Sequence, residues 1–131
     1  MFKKIVVGTD GSETALVALR HAVRLAAAGG SSVEIVTAHD PQATPSAGDA
    51  IDTLLRDAEA VVREGGISDV RTHAQPGDPA EVIIALADRV GGDLIVVGNK
   101  GMTGTKRFLL GSVPDKISHH AGASVLIVHT T

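Results

Sequence analysis

Apolar strand-like runs alternate with segments of helical period along the whole chain, and this alternation limits the folds available to it. The strand-like runs are rich in Val and Ile and mostly continuous, which is typical of strands buried on both faces. The predicted strands are Lys4–Gly8, Val33–Ala38, Asp69–Ala74, Leu94–Val97 and Ser124–Val128. The order βαβαβαβαβ with right-handed crossovers predicts a doubly wound, five-stranded parallel sheet with helices on both faces.

Helix boundaries are marked by glycine pairs and by one capping sequence. Glycine pairs at positions 29–30, 65–66 and 91–92 predict the ends of the first three helices, because glycine adopts the left-handed conformation at little cost. Asp78, Pro79 and Glu81 predict an N-cap, a proline at the first helical position and a capping-box glutamate. A fourth helix is predicted from about Ser112 to His120.

The connection from Asp40 to Gly48 is longer than the others and contains Pro41 and Pro45. It is predicted to be a mobile flap or a partner surface rather than a linker, because no second domain is expected after it. The chain has 131 residues and no internal repeat, so we expect one domain over residues 1–131.

Composition narrows the possible functions. The net charge is −3 and the only aromatic residues are Phe2 and Phe108, so nucleic acid is not an expected partner. The absence of cysteine excludes disulfides and thiolate metal sites. No apolar run reaches the length of about 18 residues that a membrane span needs, and the N-terminal sequence lacks a signal-peptide pattern. We therefore expect a cytoplasmic protein without membrane contact.

A glycine pattern late in the chain predicts a phosphate-binding cradle. Gly98 and Gly101 follow an apolar run. After nine intervening residues come Gly111 and Ser112, at the start of the predicted fourth helix. Glycine lets backbone N–H groups approach a ligand closely, and a helix N-terminus favours anions. The spacing is neither that of a Walker loop nor GxGxxG. Hydrolysis of a bound phosphate compound is expected to be slow, because no general base or arginine finger is evident.

Polar residues follow the first two predicted strands. Asp10 comes directly after the first strand, where it is either a ligand or an Asx-turn residue ahead of the first helix, or both. Ser12 is predicted to cap that helix rather than to bind a ligand. His39, after the second strand, is the one histidine expected to line a cleft at the carboxyl edge of the sheet.

Four segments of the chain together resemble the universal stress proteins of the nucleotide-binding kind, and the resemblance covers essentially the whole sequence. These segments are the opening Lys4–Ser12, the run Asp93–Gly98, the glycine pattern and the ending Val125–Val128. The resemblance implies a sheet like that of the adenine nucleotide α-hydrolases, with strand order 3-2-1-4-5. It also implies a homodimer formed through the last strand, Ser124–Val128.

The resemblance implies an adenine nucleotide at the carboxyl ends of the strands. Asp10 would lie near the ribose or hold a phosphate-bound Mg²⁺, the end of the second strand would contact the base, and Val97 and Gly98 would flank the base and ribose. Ser112 and its neighbours would bind phosphate. The implied binding residues are Gly8, Thr9, Asp10, Ala38, His39, Val97, Gly98, Asn99, Lys100, Gly101, Gly111, Ser112 and Val113.

The identity of the nucleotide stays open between ATP and cyclic AMP. Many relatives have Ser or Thr and then His or Arg between the first two glycines, where this chain has Asn99 and Lys100. Lys100 keeps a positive charge for phosphate, although as a point charge. The run Leu109–Pro114 and the ending Val128–Thr131 are similar to a mycobacterial-type branch that binds cyclic AMP.

The resulting hypothesis is a small stress protein that binds an adenine nucleotide and acts as a sensor, reservoir or switch. One alternative is a dimeric interaction module whose nucleotide site is vestigial. A second is an adenylating enzyme of the same fold, but such an enzyme would need an additional substrate domain or a catalytic loop.

Overall fold

The computed structural model describes residues 1–42, 45–99 and 112–130, and these residues form strands and helices in strict alternation. The elements are β1 Lys4–Gly8, α1 Glu13–Gly29, β2 Ser32–His39, α2 Pro45–Glu64, β3 Val70–Pro76, α3 Pro79–Val90, β4 Leu94–Gly98, α4 Ser112–His120 and β5 Ser124–Val128. All five predicted strands are confirmed. β2 and β3 run further toward their carboxyl ends than predicted, to His39 and Pro76.

The five strands form one parallel sheet in the order β3-β2-β1-β4-β5, as predicted. The chain moves outward from β1 to β3 and then returns to the other side of β1 with β4. The strand order therefore reverses between β1 and β4. In open sheets of this kind, the connections leave the two strands toward opposite faces and a crevice opens at their carboxyl ends.

Two apolar layers cover the two faces of the sheet. One layer lies under α1 and α2 and takes from the strands Ile5, Val7, Val33, Ile35, Val70, Leu94, Val96 and Val128. The other lies under α3 and α4 and takes from the strands Val6, Val36, Ile95 and Val97. Successive residues of β1 and β4 alternate between the layers because side chains along a strand point to opposite faces. This explains why residues 5–7 of β1 and residues 94–97 of β4 are apolar at every position.

The predicted helix caps are present. The Ser12 Oγ accepts from the backbone N of Ala15 at 3.2 Å, and Asp78 Oδ2 accepts from the backbone N of Glu81 at 3.1 Å. Gly30 and Gly91 end α1 and α3 in the left-handed conformation. The Glu81 carboxylate, which was predicted to complete a capping box, accepts from Lys116 Nζ of α4 at 2.8 Å. This bond joins α3 to α4.

The predicted flap between Asp40 and Gly48 is wrong for its second half, because α2 begins at Pro45. Proline is tolerated in the first turn of a helix, where its missing N–H has no intrahelical partner to lose. Pro45 therefore starts a helix instead of lying within an irregular connection.

One charged side chain is buried in β2. Glu34 is 3% exposed, and its Oε1 accepts from Nε2 of His73 on β3 at 2.6 Å. The Nζ of Lys4 on β1 lies 4.0 Å from Glu34 Oε2. A buried carboxylate is tolerated only when it is paired and hydrogen-bonded. The cluster of Lys4, Glu34 and His73 therefore ties three adjacent strands together.

Candidate functional site

The carboxyl ends of β1, β2 and β4 lie along one edge of the sheet. Gly8 at the end of β1 is in register with Val36, and the next backbone N, that of Thr9, donates to Val36 O at 2.9 Å. β2 continues beyond this point through Ala38 to His39, and both residues are half-buried. The structure therefore brings the predicted residues of β1, β2 and β4 to the same edge, beside the reversal of strand order.

The turn after β1 is built by its own polar side chains. Thr9 Oγ1 accepts from the backbone N of Gly11 at 3.1 Å, and Asp10 Oδ1 accepts from the backbone N of Ser12 at 2.9 Å. Gly11 has φ +82°, and a Cβ there would lie 2.6 Å from Cδ1 of Leu54. A side chain at position 11 would therefore be both strained and crowded. Asp10 does form the predicted Asx turn, while its role as a ligand remains a prediction.

A buried side-chain amide, that of Asn99, lies directly after β4. Val97 and Gly98 are buried, and Asn99 is 8% exposed. Asn99 Oδ1 accepts from both the backbone N and the Oγ1 of Thr130, at 3.0 and 2.8 Å. Sequence reasoning assigned Asn99 to the phosphate loop and missed this contact with the residues after β5. Only the parallel pairing of β4 with β5 brings the two segments together.

The N-terminus of α4 starts at Ser112, which is exposed, and the following Val113 is buried at 3% exposure. Val113 packs with Ile117 into the apolar layer under α3 and α4, which fixes the start of this helix against the sheet. The remaining predicted phosphate residues, Lys100, Gly101 and Gly111, lie outside the described part of the chain.

A cleft of about 490 Å³ opens between α1 and α2, next to the turn after β1. Its lining combines apolar side chains with three carboxylates, those of Asp10, Glu13 and Asp57. It is lined by Thr9, Asp10, Gly11, Ser12, Glu13, Leu16, Leu19, Ala50, Thr53, Leu54, Asp57, Ala58 and Val61. Thr9 and Asp10 were predicted as site residues. The α2 residues were not, because their apolar spacing indicates only a buried helix face.

Two described ionisable groups have shifted pKa values. The backbone N–H groups of Lys3 and Lys4 donate to Asp93 at 2.9 and 3.0 Å and lower the pKa of its carboxyl group. The hydrogen bond to Glu81 raises the pKa of Lys116. Neither is a predicted binding residue. Asp93 joins the start of β4 to the start of β1, at the opposite edge of the sheet from the predicted site.

The described residues contain no cluster of three or more side chains suited to hold a metal ion. Asp10 is a single half-buried carboxylate in the turn after β1. Mg²⁺ in phosphate sites is typically held by one or two carboxylates, substrate phosphates and water. Asp10 alone therefore fits a Mg²⁺ ion that arrives with a nucleotide, but not a permanent metal site. Among the described helices, none has the length and apolar character to cross a membrane.

A five-stranded parallel sheet with helices on both faces and a reversal of strand order defines the class of doubly wound α/β proteins. The family model for the universal stress protein family matches residues 1–129. The chain belongs to the universal stress protein family.

Individual relatives match along nearly the whole chain. A universal stress protein of Mycobacterium tuberculosis is 35% identical, with 99% of this chain and 98% of the relative covered. One from Methanocaldococcus jannaschii is 33% identical, with 98% of this chain and 82% of the relative covered. A solved universal stress protein in complex with cAMP is 37% identical, with a TM-score of 0.85 and coverage of 99% and 98%. The similarity therefore includes both the predicted site and the edge strands.

Proposed function

We propose that this protein binds an adenine nucleotide at the carboxyl edge of its sheet, around the ends of β1, β2 and β4 and the start of α4. The observation that carries the proposal is the similarity, over 99% of the chain, to a universal stress protein solved in complex with cAMP. The reversal of strand order between β1 and β4 supports the choice of this edge, because ligands of doubly wound sheets bind beside such a reversal. Binding would serve as a stress-response sensor or switch in the cytoplasm, within a single domain over residues 1–131.

The described residues supply suitable chemistry for each part of the nucleotide. The start of α4 at Ser112 offers backbone N–H groups and a hydroxyl to phosphate. Gly98 lets the backbone at the end of β4 approach the ribose. The half-buried Ala38 and His39 would lie against the base. Lys100, Gly101 and Gly111 join this set on the strength of the sequence pattern.

The two candidate nucleotides differ in their need for a metal ion. ATP carries several phosphate charges and usually binds with Mg²⁺, for which Asp10 is the available carboxylate. Cyclic AMP carries one negative charge and needs no metal. We propose cyclic AMP or ATP as the ligand, with Mg²⁺ accompanying ATP.

Calorimetric titration of nucleotide-free protein with cyclic AMP and with ATP, each with and without Mg²⁺, tests the proposal. We expect saturable one-to-one binding per chain with at least one of the two. Tighter ATP binding with Mg²⁺ supports the ATP assignment, and a preference for cyclic AMP without a Mg²⁺ effect supports the other. Failure of both nucleotides to bind, checked by thermal shift, would overturn the proposal and favour the interaction module.

We also propose that the protein is a homodimer through β5. The two edges of the sheet differ in charge: β3 carries Arg71 and His73, whereas β5 has the sequence Ser-Val-Leu-Ile-Val without a charged residue. Three apolar side chains of β5, from Val125 to Ile127, are only half-buried in the chain. Charged residues protect an edge strand from further pairing, and an uncharged apolar edge favours it. A second copy of β5 is the proposed partner.

Leu126→Lys is expected to convert the dimer to a monomer, because a charge on the edge strand opposes pairing with a second copy. Sedimentation equilibrium should give twice the chain mass of 13.4 kDa for wild type and 13.4 kDa for the variant. The control is Ala74→Lys, which places the same charge on the exposed opposite edge strand β3 and should remain dimeric. A dimeric Leu126→Lys variant, or a monomeric wild type at micromolar concentration, would contradict the proposal.

A further inference from the structure

Asn99 joins the end of β4 to the residues that follow β5. Its backbone N donates to Val128 O at 2.9 Å, and its side-chain Oδ1 accepts from both the N and the Oγ1 of Thr130. Two donors on one atom fix the orientation of the amide, because the NH₂ group cannot accept a hydrogen bond from the Thr130 N–H. The Nδ2 of Asn99 must therefore be the atom that faces Nδ1 of His129, at 3.3 Å.

This orientation determines the protonation of His129 that suits the contact. The Nδ2 of Asn99 is only a donor, so Nδ1 of His129 has to accept. An imidazole nitrogen accepts only when it carries no proton, so the contact requires a neutral ring with its proton on Nε2. Protonated His129 would direct an N–H group at the N–H group of Asn99. The link between β4 and the residues after β5 is therefore strongest when His129 is neutral.

We propose that Asn99 is a positioning residue for the nucleotide and that, through His129 and Thr130, it fixes the backbone at the end of β4. The inference rests on the proposed function, in which Val97 and Gly98 flank the base and ribose. Asn99 has no contact with the nucleotide in this proposal. A backbone that is held from behind keeps its groups in place for the ligand, and a displacement of a few tenths of an ångström weakens binding.

The charged groups around His129 do not compete with Asn99 for its ring in the described part of the chain. β5, the strand that precedes His129, is packed against β4, which has no charged residue, and against α1 and α4. Their ionisable side chains are Glu13, Arg20, His21 and Arg24 on α1 and Asp115, Lys116, His119 and His120 on α4. None of these forms an ion pair with His129, since Lys116 contacts Asp78 and Glu81 and Asp115 contacts His119.

The test is Asn99→Asp, titrated with cyclic AMP and with ATP at about pH 8 and about pH 5.5, the range over which imidazole gains its proton. The aspartate still accepts from Thr130 but presents an acceptor to His129. It therefore opposes the neutral tautomer whose proton is on Nε2, and it pairs with protonated His129. We expect the variant to bind the nucleotide about tenfold more weakly than wild type at pH 8, and no more than about threefold more weakly at pH 5.5. Protonation of the nucleotide itself affects wild type and variant equally, so it does not change the ratio of their affinities at a given pH.

Two further variants separate positioning from a purely structural role. In proteins that also carry His129→Ala, the ratio of nucleotide affinities without and with Asn99→Asp should no longer depend on pH. Thr130→Val, which loses only the hydroxyl donor, should weaken binding about threefold at both pH values. His119→Ala is the matched histidine control on α4 and should bind the nucleotide as wild type does. If Asn99→Asp fails to fold, Thr130→Val and the pH profile of His129→Ala against wild type decide the question.

The outcomes distinguish this proposal from the proposed function. If wild type binds the nucleotide and both Asn99→Asp and Thr130→Val bind it as tightly as wild type does, the positioning role is overturned. The proposed nucleotide site is then unaffected. An equal loss of nucleotide affinity for Asn99→Asp at both pH values would also overturn it. That result would indicate a structural defect or the added charge alone, and neither depends on the protonation of His129. Wild type that binds neither cyclic AMP nor ATP would overturn both proposals.

Discussion

Replacing His73 by Leu is expected to lower the free energy of unfolding by about 3 kcal/mol. Glu34 is 3% exposed and depends on His73 Nε2, 2.6 Å away, for its closest hydrogen bond. Without His73, the carboxylate keeps only Lys4 Nζ at 4.0 Å. Breaking a buried pair from one side leaves an uncompensated charge, which costs more than the intact pair contributes. Urea denaturation of wild type and variant measures the difference.

The double variant Glu34→Leu/His73→Leu identifies the cause of that loss. It removes the buried charge together with its partner, so we expect it to recover at least half of the lost free energy. Lys4 can then turn its ammonium group to water, because its side chain is already 34% exposed. His119→Leu, on the exposed face of α4, is the control and should change stability by less than about 0.5 kcal/mol. A His73→Leu variant as stable as wild type would show that Glu34 needs no partner.

The fold could be predicted from the sequence because the strands at the centre of the sheet are apolar at nearly every position. β1 and β4 lie at the centre of the sheet with a helix layer on each face, so the burial of both faces is visible as continuous Val and Ile. The right-handed crossover rule then predicts that the sheet is parallel, and the resemblance implies the strand order. The start of α2 could not be predicted, since Pro45 is equally typical of a loop and of a first helical turn.

Contacts between polar side chains on different strands could not be predicted from the sequence. Glu34 is one charge within an apolar run, and nothing local indicates that His73, 39 positions later, reaches it. Asn99 is predicted as part of a phosphate loop, and nothing local indicates that its side chain also bonds to Thr130. Both contacts depend on which strands become neighbours. The turn at Asp10 was predictable because its partner lies two residues away.

Asp10→Asn is expected to abolish the enhancement of ATP binding by Mg²⁺, a loss of about tenfold or more in affinity, without destabilising the protein. Asparagine keeps the Oδ1 that accepts from the Ser12 N–H at 2.9 Å, so the turn after β1 is preserved. It lacks the negative charge that a Mg²⁺ ion requires. Cyclic AMP, which needs no metal, should bind the variant within about threefold of wild type. Calorimetric titrations with and without Mg²⁺ measure both effects.

Asp40 supplies a matched control for this substitution. It follows β2 at the same edge of the sheet, and its Oδ1 accepts from the backbone N of Gln42 at 2.8 Å, the same turn that Asp10 forms. Asp40→Asn therefore repeats the chemical change at a position outside the predicted site and should keep the Mg²⁺ effect. Ser12→Ala should lower the free energy of unfolding by about 1 kcal/mol through loss of the helix cap. It should also keep the Mg²⁺ effect on ATP binding. Undiminished Mg²⁺ enhancement in Asp10→Asn, or its absence in wild type, would assign Asp10 to the turn alone.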